Sequence, residues 1–295
     1  MVDAGFLVAQ LVNALFYSSI LFMVASGLSL IFGITRILNL AHGAFYMLGA
    51  YIMYTVMAAL PRGGVSAVLG ILAAGAGLAI VGFIVEAGLL RRVYNKPEEV
   101  QLLLTFALIL VMDDLVKIIW GPEYKSLTTL PWGSVSVGEY TIPVYHLVVI
   151  MVALASALGL WMLFTRTNIG KRIRASASYP EVAEALGVNT RMMFMATFML
   201  GSALAGVSGA LAGPVLTAYP GMGTEAIVLS FAIIVIGGMG SILGALVGAL
   251  IVGFSRTIMA VTYPVMEVAL IYIVMAVVLL VKPTGLFGGR EVERR

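Results

Sequence analysis

The sequence predicts an all-α, polytopic membrane protein, a bundle of about eight or nine transmembrane helices with broken or re-entrant segments. Its 295 residues are 61% hydrophobic and 11% charged, and their mean hydropathy is +1.09. Soluble domains carry roughly 25% charged residues. Apolar runs of roughly 20 residues, the length at which an α-helix crosses a bilayer, recur along the whole chain, whereas a barrel strand needs about ten. We expect one transmembrane domain over residues 1–295.

Composition also excludes several kinds of site and partner. The chain has no cysteine, which rules out disulfides, thiolate metal sites and thiol nucleophiles. His146 has no Cys, Asp or Glu at ligand spacing, so we expect no metal site. The net charge of +3 is modest and reflects how the loops face the membrane rather than binding to nucleic acid. Residues 1–4 lack the basic segment of a signal peptide, so the first apolar run is expected to remain as a span.

Five apolar runs predict spans in the first half of the chain, at residues 6–32, 44–60, 65–89, 100–120 and 143–165. The segment 33–43 between the first two contains Arg36, Asn39 and His42, and we interpret it as a broken helix. Non-helical backbone at membrane depth occurs where it is buried or lines a cavity, and intramembrane ionisable residues mark functional sites. These three residues are therefore candidates for a translocation pathway. An ordinary loop with a snorkelling arginine is the alternative.

Charged residues interrupt the fourth span. Asp113, Asp114 and Lys117 lie close together in it, and a carboxylate that faces lipid is costly. Asp113 and Asp114 are pathway candidates, and the alternative is that Lys117 neutralises them at helical spacing. Residues 121–142, which follow this span, contain Gly, Pro, short β-prone fragments and Trp132. They predict an ordered external loop.

In the second half, spans are predicted at residues 192–213, from 224 onward and at 265–281. Glu225 is a candidate for the wall of a vestibule, and an interfacial, solvated carboxylate is the alternative. The Gly-rich cluster 237–241 is either a tight turn or an intramembrane break, and we detect no internal repeat. Small residues at intervals of four predict close helix packing. The packing candidates are Gly201, Gly209, Gly213, Gly240, Gly244 and Gly248.

Basic residues predict the orientation of the spans through the positive-inside rule. They cluster at 91–96, in the interval 166–191 and in the tail. All three clusters are cytoplasmic if 100–120 and 143–165 each cross once. The N-terminus is then outside and the C-terminus is cytoplasmic, with about nine crossings, or eight if 33–43 or 237–241 is re-entrant. The tail cluster consists of Lys282, Arg290, Arg294 and Arg295.

The basic interval 166–191 is predicted to contain a short helix that needs a partner. Ser178 and Glu181 fit a capping box, Pro180 fits a first helical turn, and Gly187 supplies the stop. A two-turn helix is marginal alone in water. We therefore expect its apolar residues to rest on another protein, and a solvated loop is the alternative. These residues are Val182, Ala185 and Leu186.

Catalytic and nucleotide-binding motifs are missing from the sequence. It contains no G-x-x-x-x-G-K-[ST], H-E-x-x-H or G-x-S-x-G pattern, so we expect neither an enzyme nor a chain that binds ATP itself. A pore or transporter subunit remains. An autonomous channel with Asn39 and His42 as pore donors would be expected to repeat their motif, which the chain does not do. A secondary transporter would need a buried carboxylate relay, for which Asp113 and Asp114 are the only close pair within an apolar segment.

Residues 27–51, with the sequence GLSLIFGITRILNLAHGAFYMLGAY, resemble the opening signature of the branched-chain amino-acid ABC transporter permeases. Residues 170–189, 237–248 and 282–288 are similar to family segments in the same order. The resemblance covers nearly the whole chain. It leaves the substrate open, because relatives serve urea, short amides and aromatic compounds as well as leucine, isoleucine and valine.

The resemblance implies an importer in a bacterial inner membrane. A second, related permease, two cytoplasmic ATPase subunits that bind the ATP, and a periplasmic substrate-binding protein would be its partners, and the chain itself would need no cofactor. Where Ala44 stands, relatives often have a carboxylate, so we assign no charged substrate contact there. Residues 170–189 look like the loop that couples the permease to the ATPase. The coupling candidates are Gly170, Arg174, Pro180, Glu181, Glu184, Ala185, Leu186 and Gly187.

Overall fold

A computed structural model describes residues 3–61, 63–126 and 132–288. The tail residues Arg290, Arg294 and Arg295 lie outside the described residues. Eleven α-helices and one β-hairpin are found in the described ranges. The helices are α1 Ala4–Thr35, α2 His42–Ala59, α3 Gly64–Gly88, α4 Glu98–Trp120, α5 Val144–Arg166, α6 Asn168–Ser178, α7 Pro180–Ala185, α8 Thr190–Leu216, α9 Met222–Gly237, α10 Ile242–Thr262 and α11 Glu267–Val281, and the strands are β1 Ser134–Val137 and β2 Tyr140–Pro143.

Six of the described helices are long and apolar enough to cross a membrane, namely α1, α3, α5, α8, α10 and α11, with α3 and α11 each extended by a 3-10 turn. The other three long helices differ. α9 is apolar but has only 16 residues, α2 has 18, and α4 carries charges along its length. The predicted polytopic helical bundle is confirmed. Its count of eight or nine spans is approximate, since six described helices are long and apolar enough to cross by themselves.

Helix α1 lies in the middle of the bundle, and its central part is buried on all sides. α8 runs antiparallel to it. Gly27 packs on Gly201, and the Ser208 hydroxyl donates to the Ile20 carbonyl oxygen at 2.8 Å. The small side chains at these points let the two backbones approach closely. α10 is also antiparallel to α1, with its C-terminal half beside the N-terminal half of α1.

The two ends of the bundle are chemically distinct. α6 packs on the C-terminal part of α1, where Ile173 joins a buried cluster with Ile34. We call this end, which carries α6 and α7, the basic end. The β-hairpin packs on the N-terminal part of α1, with Gly5 close to the Val137 carbonyl. We call that end the hairpin end.

Helices α2 and α9 begin at one point in the bundle and run apart. Gly43 in the first turn of α2 is so close to Gly223 in the first turn of α9 that a Cβ on either glycine would meet the carbonyl oxygen of the other. His42 at this junction places its Nε2 2.9 Å from the Val24 carbonyl oxygen, near the middle of α1. α2 runs from there along α8 toward the hairpin end, whereas α9 runs toward the basic end. Both helices start at mid-depth.

Two non-helical segments feed this junction. Residues 36–41 return from the C-terminal end of α1 to its middle, after Arg36 ends α1 in the left-handed region at φ +54°. Residues 217–221 lead from α8 to the same depth. The break predicted at 33–43 therefore exists as a re-entrant segment, and it begins later than predicted because α1 stays helical to Thr35. The cluster 237–241, for which two interpretations were open, is a tight turn between α9 and α10.

The packing of α1–α4 is repeated by α8–α11 in the opposite direction. α2 and α3 both pack on α8, and α9 and α10 both pack on α1, so each set embraces the first helix of the other. α4 lies against α2 just as α11 lies against α9. This is an inverted repeat, a common device of transporters. The sequence analysis did not detect it because it lies in backbone topology rather than in recurring residues.

The packing glycines predicted from the sequence have different surroundings. A Cβ on Gly201 would meet Ile31, one on Gly209 would meet the Tyr46 backbone, and Gly213 faces Ala50. Gly240 differs, because it lies in the α9–α10 turn at φ +79° rather than on a helix, and packs on Gly33. The prediction that Gly240 lies on a helix ridge was wrong, since α10 begins only at Ile242. In the helical ridge, Gly244 faces Gly237 and Gly248 faces Ile233.

The loop after α4 is ordered by short β structure, as its β-prone fragments predicted. β1 and β2 form an antiparallel hairpin, and Trp132 lies against Tyr145 with their ring centroids 5.6 Å apart. An isolated bridge ties this loop to the segment after α8, where the Lys125 N–H donates to the Ala218 carbonyl oxygen at 2.8 Å. Residues 127–131 of the loop lie outside the described residues.

Candidate functional site

The three pathway candidates of the re-entrant segment are not brought together. Arg36 is exposed at the end of α1, whereas Asn39 and His42 are fully buried. His42 contacts the Val24 carbonyl, and neither amide atom of Asn39 has a hydrogen-bond partner within the described residues. Unpaired buried amides are uncommon and costly. The junction is therefore a closely packed polar point at the middle of the bundle, near the N-termini of α2 and α9.

Asp113 and Asp114 lie apart from that junction, on α4. Lys117 pairs with both, at 2.7 Å to Asp113 and 3.0 Å to Asp114. These are the spacings at which charges on one helix neutralise each other. The Asp114 carboxylate is largely exposed, at 71%. The geometry matches the self-neutralising arrangement that was left open as the alternative to a pathway role.

Glu225 belongs to a charged cluster contributed by three helices. Arg256 of α10 pairs with Glu267 in the first turn of α11, and its Nη2 lies 4.0 Å from the Glu225 carboxylate. The Tyr219 hydroxyl donates to Glu225 at 3.1 Å. The Arg256 guanidinium also lies 4.9 Å from the centre of the Tyr17 ring, in a cation–π contact. We call Glu225, Arg256 and Glu267 the charged triplet.

The charged triplet lies within the depth of the membrane. Arg256 stacks on Tyr17, which is near the middle of α1, and Gly253 one turn before it packs on Ser18. Ionisable groups at this depth face the interior of a bundle or a water-filled cavity and pair with one another. The position of the triplet therefore indicates a polar cavity between the helices rather than a lipid-facing surface.

Two cavities meet at the charged triplet. One, of about 140 Å³, lies between α1, α2, α8 and α9 and has apolar walls that include Ile20, Val24 and Leu229. The other, of about 370 Å³, lies between α9, α10 and α11. Both are lined by Glu225 and Arg256. The triplet thus stands between two spaces.

At the basic end, the interval 166–191 folds into two helices rather than one. Ser178 is the last residue of α6, and Tyr179 is the single residue between α6 and α7. The predicted capping box of Ser178 and Glu181 was wrong, because α6 extends over the position that a cap would occupy. Pro180 is the first residue of α7, and Gly187 ends the turn at φ +81°. The sequence reasoning missed α6, whose one-sided polarity is the signal that could have found it.

The α6–α7 unit is held rigidly against the spans. The Thr167 hydroxyl caps α6 by accepting from the Gly170 N–H at 3.0 Å, and a Cβ on Gly170 would meet the Leu163 carbonyl. Arg174 donates to the Phe164 carbonyl oxygen. At the other end, the Thr190 hydroxyl donates to Glu184. The contacts of Gly170 and Arg174 join α6 to α5, and the contact of Glu184 joins α7 to α8, so a displacement of the α6–α7 unit is passed to two spans.

The apolar residues of α7 point away from the chain. Ala183 is buried, whereas Val182 is 57% and Leu186 79% exposed, and Ala185 is exposed with them. Val182, Ala185 and Leu186 are the residues that the sequence predicted would need a partner. An apolar face on so short a helix is typical of a docking surface.

Comparison with known proteins places these features in a family. A sequence model of the branched-chain amino acid transport system permease component matches residues 10–281. The chain belongs to this family. It is 30% identical to the high-affinity branched-chain amino acid transport system permease protein LivH of Escherichia coli K12, over 97% of this chain and 96% of the relative. BraD of Pseudomonas aeruginosa PAO1, with the corresponding name, is also 30% identical, over 97% of each chain. No solved structure matches.

In this member of the branched-chain amino acid permease family, sequence reasoning found Glu225 but missed its partner. Arg256 stands alone within the apolar run that forms α10, and a lone arginine in a span is itself a strong signal. It was passed over because Glu225 and Arg256 are separated by the α9–α10 turn. Only the antiparallel packing of these helices reveals that they share a site.

Proposed function

We propose that the chain is the membrane-spanning permease subunit of an ATP-driven importer for branched-chain amino acids in a bacterial inner membrane. Its role is transport rather than catalysis. The observation that carries this proposal is the exposed apolar face of α7, which is joined directly to α8 and through α6 to α5, in a chain that belongs to the permease family. A second related permease, two cytoplasmic ATPase subunits and a substrate-binding protein would complete the importer.

The proposed orientation follows from charge. The basic end carries Lys171, Arg172 and Arg174 on α6, and basic loops face the cytoplasm. α7 then faces the ATPase, whose closure it would transmit to the spans as a rigid-body movement. Residues 285–288 pack at the same end of the bundle, where the Phe287 N–H donates to the Gly237 carbonyl oxygen at 2.8 Å. This supports a cytoplasmic C-terminus.

Reconstitution tests the proposed function. The chain is co-expressed with the second permease and the ATPase subunits, purified through a tag on the ATPase, and placed in proteoliposomes with ATP enclosed. We expect co-purification, and uptake of labelled leucine that requires both ATP and externally added binding protein. Leucine uptake by this chain alone without ATP would instead indicate an autonomous channel. Failure of the chain to associate with any ATPase subunit would contradict the proposal.

A further inference from the structure

Within the charged triplet, Arg256 pairs closely with Glu267 but only loosely with Glu225. The Nε of Arg256 forms a close ion pair with the Glu267 carboxylate. The Glu225 side chain is 58% exposed, and its Oε1 lies 4.0 Å from Nη2 of Arg256. Neither terminal nitrogen of Arg256 makes a hydrogen bond with any of the residues that the structure describes. One carboxylate and the outer edge of one guanidinium therefore remain open to a ligand, side by side.

These two groups are complementary to the head of an amino acid. A guanidinium edge with free N–H donors matches a carboxylate, and a carboxylate matches an ammonium group. In an α-amino acid the two charged groups are attached to the same carbon, so they would meet neighbouring partners of opposite charge. Insertion of a zwitterion between Glu225 and Arg256 would replace their loose contact by two closer ones and would leave the Arg256–Glu267 pair intact.

The surroundings of this pair fit an apolar side chain. The cavity of about 140 Å³ next to it has walls formed by Ile20, Leu21, Val24 and Leu229. Burial of a branched aliphatic group against such walls is favourable. Tyr17, Tyr46 and Tyr219 also line this cavity.

The position of the site fits reception of substrate from outside. Arg256 lies beside Tyr17 on the hairpin side of the Gly43–Gly223 junction, and Glu225 lies at the junction itself, in the first turn of α9. The segment with Tyr219 is fixed by the bridge from Lys125 to Ala218. A ligand that enters from the hairpin end would meet the charged pair as it reaches the closed junction.

We propose that Glu225 and Arg256 form a transfer site for the ammonium and carboxylate groups of an amino-acid zwitterion, whose aliphatic side chain enters the adjoining apolar cavity. Glu267 and Tyr17 are positioning residues that hold the guanidinium. The inference rests on the proposed function and adds to it the chemical class of the ligand and the place where this chain receives it. A clamp that only holds α9, α10 and α11 together is the competing role.

Uptake kinetics provide the first test. Glu225→Gln and Arg256→Gln are compared with wild type in the reconstituted importer, and Glu99→Gln, an exposed carboxylate in the first turn of α4, is the matched control. We expect leucine turnover to fall about tenfold or more in both variants, because each loses one charge-assisted contact. Glu99→Gln should keep the wild-type turnover. Arg256→Lys should recover part of the turnover.

Ligand discrimination separates a transfer site from a clamp. Labelled leucine is bound to the importer in nanodiscs without binding protein, and unlabelled leucine, leucinamide or 4-methylpentanoate is added as competitor. Leucine should compete best in the wild type. In Arg256→Gln, leucine should no longer compete better than leucinamide, which lacks the carboxylate. In Glu225→Gln, leucine should no longer compete better than 4-methylpentanoate, which lacks the ammonium group. A clamp would leave the ranking of competitors the same in all proteins.

The outcomes also separate the two proposals. If the wild-type importer does not take up leucine with ATP and binding protein, the proposed function fails. If the wild type transports leucine and both variants do so at the wild-type turnover, the transfer site alone is overturned. Unchanged competitor ranking together with normal turnover would leave only a structural role for the triplet.

Discussion

Gly43 and Gly223 face each other across the first turns of α2 and α9, and neither has room for a Cβ. The contact joins two helices that begin at mid-depth and run to opposite ends, and it is the point where the two inverted halves of the bundle meet. The backbone of each glycine occupies the space that a side chain on the other would need. The junction therefore depends on glycine for close approach rather than for an unusual backbone angle.

Gly43→Ala and Gly223→Ala should each push α2 and α9 apart. Overpacking in a well-packed interior costs typically about 1–3 kcal/mol, so the midpoint of thermal unfolding of the assembled importer should fall and leucine uptake should decrease. The matched control is Gly159→Ala in α5, where a Cβ meets nothing within 4 Å. Equal stability of the three variants would show that the junction is not closely packed in the membrane.

Gly187→Pro should uncouple ATP hydrolysis from transport. The residue stands at φ +81°, and its N–H donates to the Glu184 carbonyl oxygen at 2.9 Å. Proline permits neither, because its φ is fixed near −65° and it has no N–H. Membrane insertion should be normal, while stimulation of ATPase activity by loaded binding protein should be lost. Glu184→Lys, which removes the acceptor of the Thr190 hydroxyl, should act in the same direction. Normal uptake in both variants would contradict the role of α7 in coupling.

Leu186→Ser tests the docking surface without altering the backbone. Leu186, directly after α7, is 79% exposed, and Val265, 94% exposed at the other end of the bundle, gives the control Val265→Ser. If the ATPase covers Leu186, loss of this buried side chain should weaken association by about 1.5–3 kcal/mol, measured by dissociation of the subunits on dilution. Equal retention of the ATPase by both variants would show that Leu186 is not covered.

A buried carboxylate at the base of α3 gives a stability prediction. Glu86 is fully buried, pairs with the half-exposed Arg91 at 2.8 Å, and accepts from the Tyr94 hydroxyl at 3.1 Å. Burial, and then the Glu86 charge, raise the pKa of Tyr94. Arg91→Ala leaves the carboxylate without its cation and should lower stability by about 2 kcal/mol, less than for a fully buried pair because Arg91 reaches solvent. Adding Glu86→Gln to this variant should recover part of the loss in a thermal unfolding assay.

The sequence was sufficient to predict what depends on composition and local pattern. Runs of apolar residues predicted the helices, and Pro180 and Gly187 bound α7 at both ends. The partners of Glu225 were not predictable, because Arg256 and Glu267 come from two other helices and their proximity depends on how α9, α10 and α11 pack. The inverted repeat was missed for a related reason. It consists of helix directions and close approaches, and residues such as Gly43 and Gly223 have unlike neighbours in sequence.

The exposed face of α9 should line a water-filled pathway. Glu225, Val228 and Phe231 follow one another at helical spacing of three and are all exposed in the single chain, and a carboxylate at this depth is costly against lipid. The chain has no native cysteine, so single substitutions can be labelled cleanly. Val228→Cys and Phe231→Cys should react with a membrane-impermeant thiol reagent in the assembled importer. Leu154→Cys, at a 52% exposed position in the middle of α5, should face lipid and react far more slowly. Labelling of all three at the same rate would show that α9 does not face the pathway.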